Sequence, residues 1–348
     1  MHDFRVHSVE KIMKAREGDL IETIDGNIFD VKGIVHPPGK VIAFIRYTPD
    51  LNGDRKRGET RYKKVYALRE RFDLLKKRFP RYLVFDPVLS QWLCEVPNEI
   101  VRRHYKPSDY LSLLRRRGTR DELEKRALEL AELLHKESGV AWNSLGISGS
   151  LLVGLHTRNS DLDLIVYGSK SCWKVYNTLS SLVQDPKGNV RSYNMQDLKK
   201  LFDFRSKDTI VSFEDFVRTE SRKLLQGKFH ERDYYIRCVR DWTETPEKYG
   251  TVQFRAVGEA KIQATVTDDS DMIFTPCAYK IGDVHVLQRK KARPVREIVS
   301  FRGRFCEQAR NGEKVVARGT IESVKTKEEE YFHLILGNKP SDHMILAR

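Results

Sequence analysis

Apolar and polar positions alternate over the first fifty residues with a period close to two, the spacing of half-buried strands. Residues 20–24 and 28–33 are two such runs, and between them stands Asp25-Gly26-Asn27. Asp-Gly is a strong hairpin signal because both residues tolerate positive φ. His36-Pro37-Pro38-Gly39 interrupts the pattern, and residues 41–47 supply a third strand. Residues 49–59 are polar and read as a loop. Residues 63–79 are basic and amphipathic, which predicts a helix ending before Pro80. A second helix end lies at residues 110–114, where Arg115-Arg116-Arg117-Gly118 marks a boundary.

Beyond Gly118 the period lengthens to that of a helix. Thr119 and Glu122 fit a capping box, and Leu123, Ala127, Leu130, Ala131 and Leu134 recur on one face to about Ser138. Residues 140–147 read as a buried strand, 172–183 as a helix, and 233–239 as the next convincing strand. From about Thr251 the chain breaks into short β-like runs at 252–257, 260–266, 273–279, 284–287, 315–324 and 331–336. Such spacing fits a small barrel or sandwich, an OB-like barrel among the options. The predicted fold class is α+β. It comprises a basic α+β module over residues 1–118, a mixed-sheet core over 119–245 and a β-rich domain over 246–348.

At 348 residues the chain is long enough for these modules each to bury a core. A hydrophobic content of 40% with 32% charged residues describes a soluble globular protein. No apolar run of about twenty residues exists, and Met1-His2-Asp3-Phe4-Arg5 lacks the apolar stretch of a secretory signal. A cytoplasmic location without a membrane partner is therefore expected. The five cysteines form no Cys-x-x-Cys pair and the ten histidines no His-x-x-x-His pair, so neither a disulfide framework nor a zinc site follows. His156 reads as a solvated loop histidine. High charge of both signs with little glutamine fits a thermophilic source.

Charge sharpens the division into modules. The net charge is +14, and residues 1–118 hold 25 Lys/Arg against 16 Asp/Glu. Residues 53–82 alone carry twelve basic and four acidic residues, with Tyr62, Tyr66 and Tyr82 interleaved. A nucleic-acid backbone is attracted to such a surface, and tyrosines can stack on unpaired bases. The plainer alternative is a solvated helix face with ordinary core tyrosines. Residues 288–293 and 301–305 add basic segments to the C-terminal part.

The candidate chemistry lies between residues 148 and 163. Ser148-Gly149-Ser150 ends the strand over 140–147, and nine residues later comes Ser160-Asp161-Leu162-Asp163. Two carboxylates two apart on a strand share a face, while Leu162 and Leu164 point into a core. The residues after Gly149-Ser150 can form a short helix whose first N–H groups attract phosphate. A phosphate cradle thus stands next to a pair of carboxylates suited to a divalent metal.

In this Gly-Ser turn, spacer and Asp-x-Asp strand the chain resembles the nucleotidyltransferase superfamily, which includes DNA polymerase beta, CCA-adding enzymes and kanamycin nucleotidyltransferase. Gly154 and Ser160 also stand where many members have a glycine and a serine. The resemblance is tight over residues 120–170, and the whole chain looks like archaeal proteins described only as predicted nucleotidyltransferases. It implies a nucleotidyltransferase core that transfers a nucleoside monophosphate from an NTP to a hydroxyl, releasing pyrophosphate. Magnesium or manganese would be the cofactor, held by Asp161 and Asp163. Ser148, Gly149, Ser150 and Ser160 would bind the nucleotide, with Ser150 on its phosphates. A third carboxylate is expected from a neighbouring strand: Asp233 first, Glu231 as the alternate and Asp208 as a weaker choice. RNA is the expected acceptor. A protein or small molecule is the alternative, as is an inactive RNA-binding form of the fold.

Overall fold

The computed structural model describes residues 13–288 and 294–348. They form a mixed α+β structure with three sheets and seven α-helices. Residues 289–293, most of one predicted basic segment, lie outside the described residues.

The first sheet gathers β1 (Leu20–Thr23), β2 (Ile28–Val31), β3 (Lys40–Pro49), β4 (Arg55–Arg57), β5 (Thr60–Lys64), β6 (Leu83–Asp86), β7 (Gln91–Pro97) and β8 (Val101–Tyr105). The hairpin at Gly26 (φ +80°) is as expected. Residues 49–64 differ from expectation. The chain from Arg55 to Lys64 is a β-hairpin paired to β3, and only Leu68–Arg78 is the helix α1. Pairing with β3 overrides the local helical pattern, as tertiary context routinely does. Alternation gives this sheet two buried faces. Ile21, Phe29 and Ile45 pack toward α1 and Tyr82. Leu20, Ile28 and Tyr47 pack instead on Leu152, Val153 and Leu155 of the next module.

Helix α2 (Pro107–Arg117) ends at Gly118 (φ +79°) and leads to α3 (Glu122–Ser138). The N-cap of α3 is Asp121 rather than the expected Thr119. Its carboxylate accepts from the N–H groups of Leu123 and Glu124, both at 2.9 Å. The second sheet has the order β11–β12–β13–β10–β9, from β9 (Leu145–Ile147), β10 (Leu162–Tyr167), β11 (Val190–Arg191), β12 (Gln226–Phe229) and β13 (Arg232–Val239). β10 and β13 are parallel, and β9 is shorter than the sequence pattern suggests. Leu162, Leu164, Val166, Tyr234 and Ile236 share one apolar cluster with α3 and α5 (Ser169–Gln184). The opposite face carries Asp161, Asp163, Asp233, Tyr235 and Arg237, and the N-terminal module covers it. α4 (Gly149–Leu152), α6 (Met195–Arg205) and α7 (Phe213–Glu220) complete the helices.

The third sheet consists of β14 (Gln253–Asp268), β15 (Cys277–Gln288), β16 (Val295–Ser300), β17 (Lys314–Lys325), β18 (Glu330–Leu336) and β19 (His343–Leu346). The pairings run β14–β15–β16–β18–β17, and β17 returns to β14, so five strands close into a barrel. β16 and β18 are parallel and the other pairs antiparallel. A closed five-stranded barrel of this kind is OB-like. The expected runs 252–257 and 260–266 merge into the single long strand β14, while of 273–279 only Cys277 onward joins 284–287 in β15 and the residues before it precede the strand.

Candidate active site

Gly149 sets the geometry. It opens α4 at φ +64°, a conformation that glycine adopts at little cost. A methyl group there would lie 1.9 Å from Oδ2 of Asp163, so the carboxylate occupies the space a side chain would fill. The Ser148 N–H donates to the Asp163 carbonyl at 2.8 Å and locks the turn to β10. The sequence thus folds the acid against the first turn of α4, whose leading N–H groups have no intrahelical acceptor.

Parallel pairing aligns Leu162 with Tyr234 and Asp163 with Tyr235, which sets Asp233 beside Asp161 at the same end of the sheet. Asp161 is exposed at the rim of the cleft, and Asp163 lies deeper. Partial burial and the charges of Asp163 and Asp233 push the Asp161 carboxyl up to about 6. Burial also raises Asp163, against the opposing charges of Lys64, Arg237 and Arg46. Among the described residues neither acid has an ion-pair or side-chain hydrogen-bond partner. Two adjoining carboxylates without a counter-charge are costly unless a cation joins them.

Asp233 is placed differently. Its carboxylate pairs with Lys228 Nζ at 2.9 Å and takes a hydrogen bond from Tyr193. Glu231, the alternate third acid, is turned away from the site. His230 and Glu231 both have positive φ in the turn between β12 and β13, and Glu231 pairs with Arg191 at 2.6 Å. Asp208 is remote as well, bound to Arg302 at 3.2 Å and Arg304 at 3.5 Å. Among the described residues no three His, Cys, Asp or Glu side chains form a ready metal cage. Asp161 and Asp163 still fit magnesium, which takes one or two carboxylates and completes its shell with water and substrate phosphate.

The serines expected to bind nucleotide are largely committed to the fold. Ser148 Oγ donates to the Gly18 carbonyl at 2.6 Å. Ser160 Oγ accepts from the Thr157 N–H at 2.9 Å and from Arg55 at 3.3 Å. Ser150 is buried, and its carbonyl accepts from the Leu155 N–H. What remains for phosphate at this turn is the backbone N–H groups and the Ser150 hydroxyl, which has no hydrogen bond among the described residues. His156 is not simply solvated: Nε2 lies 2.8 Å from Asp121 Oδ2 and ties the spacer loop to the start of α3.

An uncharacterized protein of Methanocaldococcus jannaschii is 31% identical over 335 residues, which cover 93% of this chain and 96% of that protein. The chain belongs to that archaeal protein's family. No family model matches it, and no solved structure does. Among the described residues no helix is long and apolar enough to cross a membrane.

In this member of the family the N-terminal module roofs the site. A cleft is lined by Asp30, Arg46 and Tyr47 from above and by Gly149, Asp163 and Arg237 from below. Arg237 is held by Glu17 at 2.8 Å. The basic strip over residues 53–82 is only partly a free surface. Arg55 reaches Leu155, Thr157 and Ser160, and Arg57 bonds Tyr105, Tyr62 and Glu22 and reaches the Val153 carbonyl at 3.4 Å. These arginines clamp the roof to the turn. Tyr62 and Tyr82 are core residues, and only Tyr66 of the three interleaved tyrosines is exposed. Sequence reasoning missed Arg46 and Lys64, whose charges act on both Asp161 and Asp163. The one signal for Lys64 was its place in the basic run.

Proposed function

We propose that the chain is a metal-dependent nucleotidyltransferase that moves a nucleoside monophosphate from an NTP to a hydroxyl. The observation that carries this reading is the pair Asp161 and Asp163: like charges side by side, without a direct ion pair among the described residues and raised in pKa despite the nearby Lys64 and Arg46, against a glycine turn with free backbone donors. Structural acids are normally paired, and a carboxylate pushed up beside another in a cleft is a functional-site signature. Magnesium, when bound, would supply the positive charge that makes the α-phosphorus electrophilic and lowers the pKa of the acceptor hydroxyl, whose proton passes to water. Asp161 and Asp163 would hold it, and the N–H groups at Gly149 and Ser150 would orient the phosphates. The acceptor oxygen bonds to the α-phosphorus as the bond to pyrophosphate breaks.

We favour an RNA end as acceptor. The OB-like barrel and the exposed Lys56, Arg61, Lys63, Lys76, Lys77 and Arg78 support it, because such barrels and such charge suit a nucleic-acid backbone. A cytoplasmic setting follows from the same substrates. One observation favours a second reading, a fold that binds nucleotide or RNA without transfer: Asp233 is already neutralised by Lys228.

Incubating the full chain with each labelled NTP, magnesium and total cellular RNA tests both. Label in RNA with stoichiometric pyrophosphate, abolished by EDTA, is the expected result. Magnesium-dependent nucleotide binding without pyrophosphate release would select the second reading. Transfer of label to protein in place of RNA would overturn the acceptor and keep the chemistry.

A further inference from the structure

Arg46 and Lys64 are basic residues of the N-terminal module that combine the lack of a direct ion pair with a place beside the acids. Arg55, Arg57, Lys32 and Lys40 each have a carboxylate partner. Arg46 and Lys64 have none among the described residues, although β3 and β5 bring them together in the roof of the cleft: Tyr47 pairs with Lys64, and the Val65 N–H bonds the Arg46 carbonyl. Burial and the charge of Arg46 hold the Lys64 ammonium down to about 8. Their opposing charges are Asp161 and Asp163 across the cleft and, for Arg46, also Asp30, so a divalent cation seated on the acids would leave both basic groups free to take an anion.

The aromatic residues beside them are as unusual. Tyr66 is 44% exposed and Phe204 52% exposed, though both are large and one comes from each side of the cleft. Their rings meet edge to face, with centroids 5.8 Å apart at 81°. Lys64 Nζ lies 4.3 Å and the Arg46 guanidinium 4.9 Å from the Tyr66 ring centroid. Tyr66 is also within electrostatic reach of Asp161 and Asp163. Lys64 and Arg46 thus act on the carboxylates by charge and touch the open aromatic pair through Tyr66, which joins a cation site, a phosphate site and a base platform in one neighbourhood.

We infer that the N-terminal module completes the nucleotide site, Arg46 and Lys64 taking the triphosphate of the NTP and Tyr66 with Phe204 stacking its base. The inference rests on the nucleotidyl-transfer reading and adds to it where the nucleotide lies. Stacking uses the π-face that every base has, so this platform accepts a base without reading its hydrogen-bonding edge. The roof is then part of the nucleotide pocket rather than a separate RNA-binding surface.

Binding to the full chain, measured by calorimetry with magnesium present, tests this with two probes, ATP and inorganic tripolyphosphate. Wild-type protein should bind both. Arg46→Gln with Lys64→Met should weaken both by about a hundredfold. Tyr66→Leu with Phe204→Leu should weaken ATP about tenfold and leave tripolyphosphate unchanged, a split that general loosening of the fold would not give. Circular dichroism melts confirm that each variant is folded. Unchanged tripolyphosphate binding in the cation variant overturns the inference. So does equal weakening of both probes, or of neither, in the aromatic variant. If wild-type protein binds and turns over ATP while these variants behave normally, only the inference falls. If it binds neither probe, the nucleotidyl-transfer reading falls with it.

Discussion

Glu22 and Asp163 are both acids facing the junction of the N-terminal module and the core, and they are treated in opposite ways. Glu22 is 1% exposed, yet its carboxylate takes hydrogen bonds from Arg57, Arg102 and the Tyr105 hydroxyl. Burial alone would raise its pKa. Those partners outweigh burial and hold it below the usual carboxylate range. Asp163 receives no such partner, and its pKa is raised. A protein able to place two arginines and a tyrosine around one acid leaves another pair bare a few strands away. The difference separates an acid that holds the structure from acids kept free for something else.

The largest expected effect breaks the comparison on the functional side. Asp161→Ala or Asp163→Ala should reduce nucleotidyl transfer by at least about a thousandfold, while the melting temperature stays level or rises because an unneutralised charge is gone. Near-native turnover in saturating magnesium would rule out both acids as ligands. Asp233→Asn should cost less, about ten- to a hundredfold, since that carboxylate sits at the rim and shares itself with Lys228. A loss as deep as that of Asp163→Ala would make it a full partner in the site.

On the structural side Glu22→Gln should lower unfolding free energy by about 2–3 kcal/mol, because it strands Arg57 and Arg102 beside a neutral amide. Urea unfolding measures this, and the folded variant should keep its turnover. The smallest effect is a pH slope. The Asp161 carboxyl sits near 6 when folded and 3.8 in its ordinary state, so the folded chain binds the proton more tightly. Its contribution to stability is present below about pH 4 and is lost as pH rises through about 6. The difference in melting temperature between Asp161→Asn and wild type should therefore grow across that window. A flat difference would remove the electrostatic account of Asp161.

What the sequence made legible was what is local. Gly149, Asp161 and Asp163 lie within fifteen residues, and their types and spacing carry the chemistry directly. The helix from Glu122 to Ser138 announced itself by the period of its apolar positions. The choice between Asp233 and Glu231 was open because both fit a strand face. Positive φ at His230 and Glu231 places Glu231 in the turn before β13, where it pairs with Arg191 instead. The strip around Arg55 was read as a surface because charge composition is blind to an acceptor a hundred residues away. Closure of the barrel was equally hidden, since β14 meets β17 across some sixty residues of chain. β16, α6 and α7 escaped notice because their apolar positions are few and lean on neighbours that the pattern does not name.

The contact between Gly149 and Asp163 also offers a way to sort relatives from their sequences alone. Any side chain at position 149 would displace the acid from its seat, at a position whose backbone already disfavours one. The seat of Asp163 therefore requires glycine at 149. A relative that has exchanged the glycine for alanine has given up the carboxylate's place, whether or not it still carries the aspartate. If the acids hold a metal as proposed, such relatives are where loss of that site should be sought, and one residue is enough to flag them.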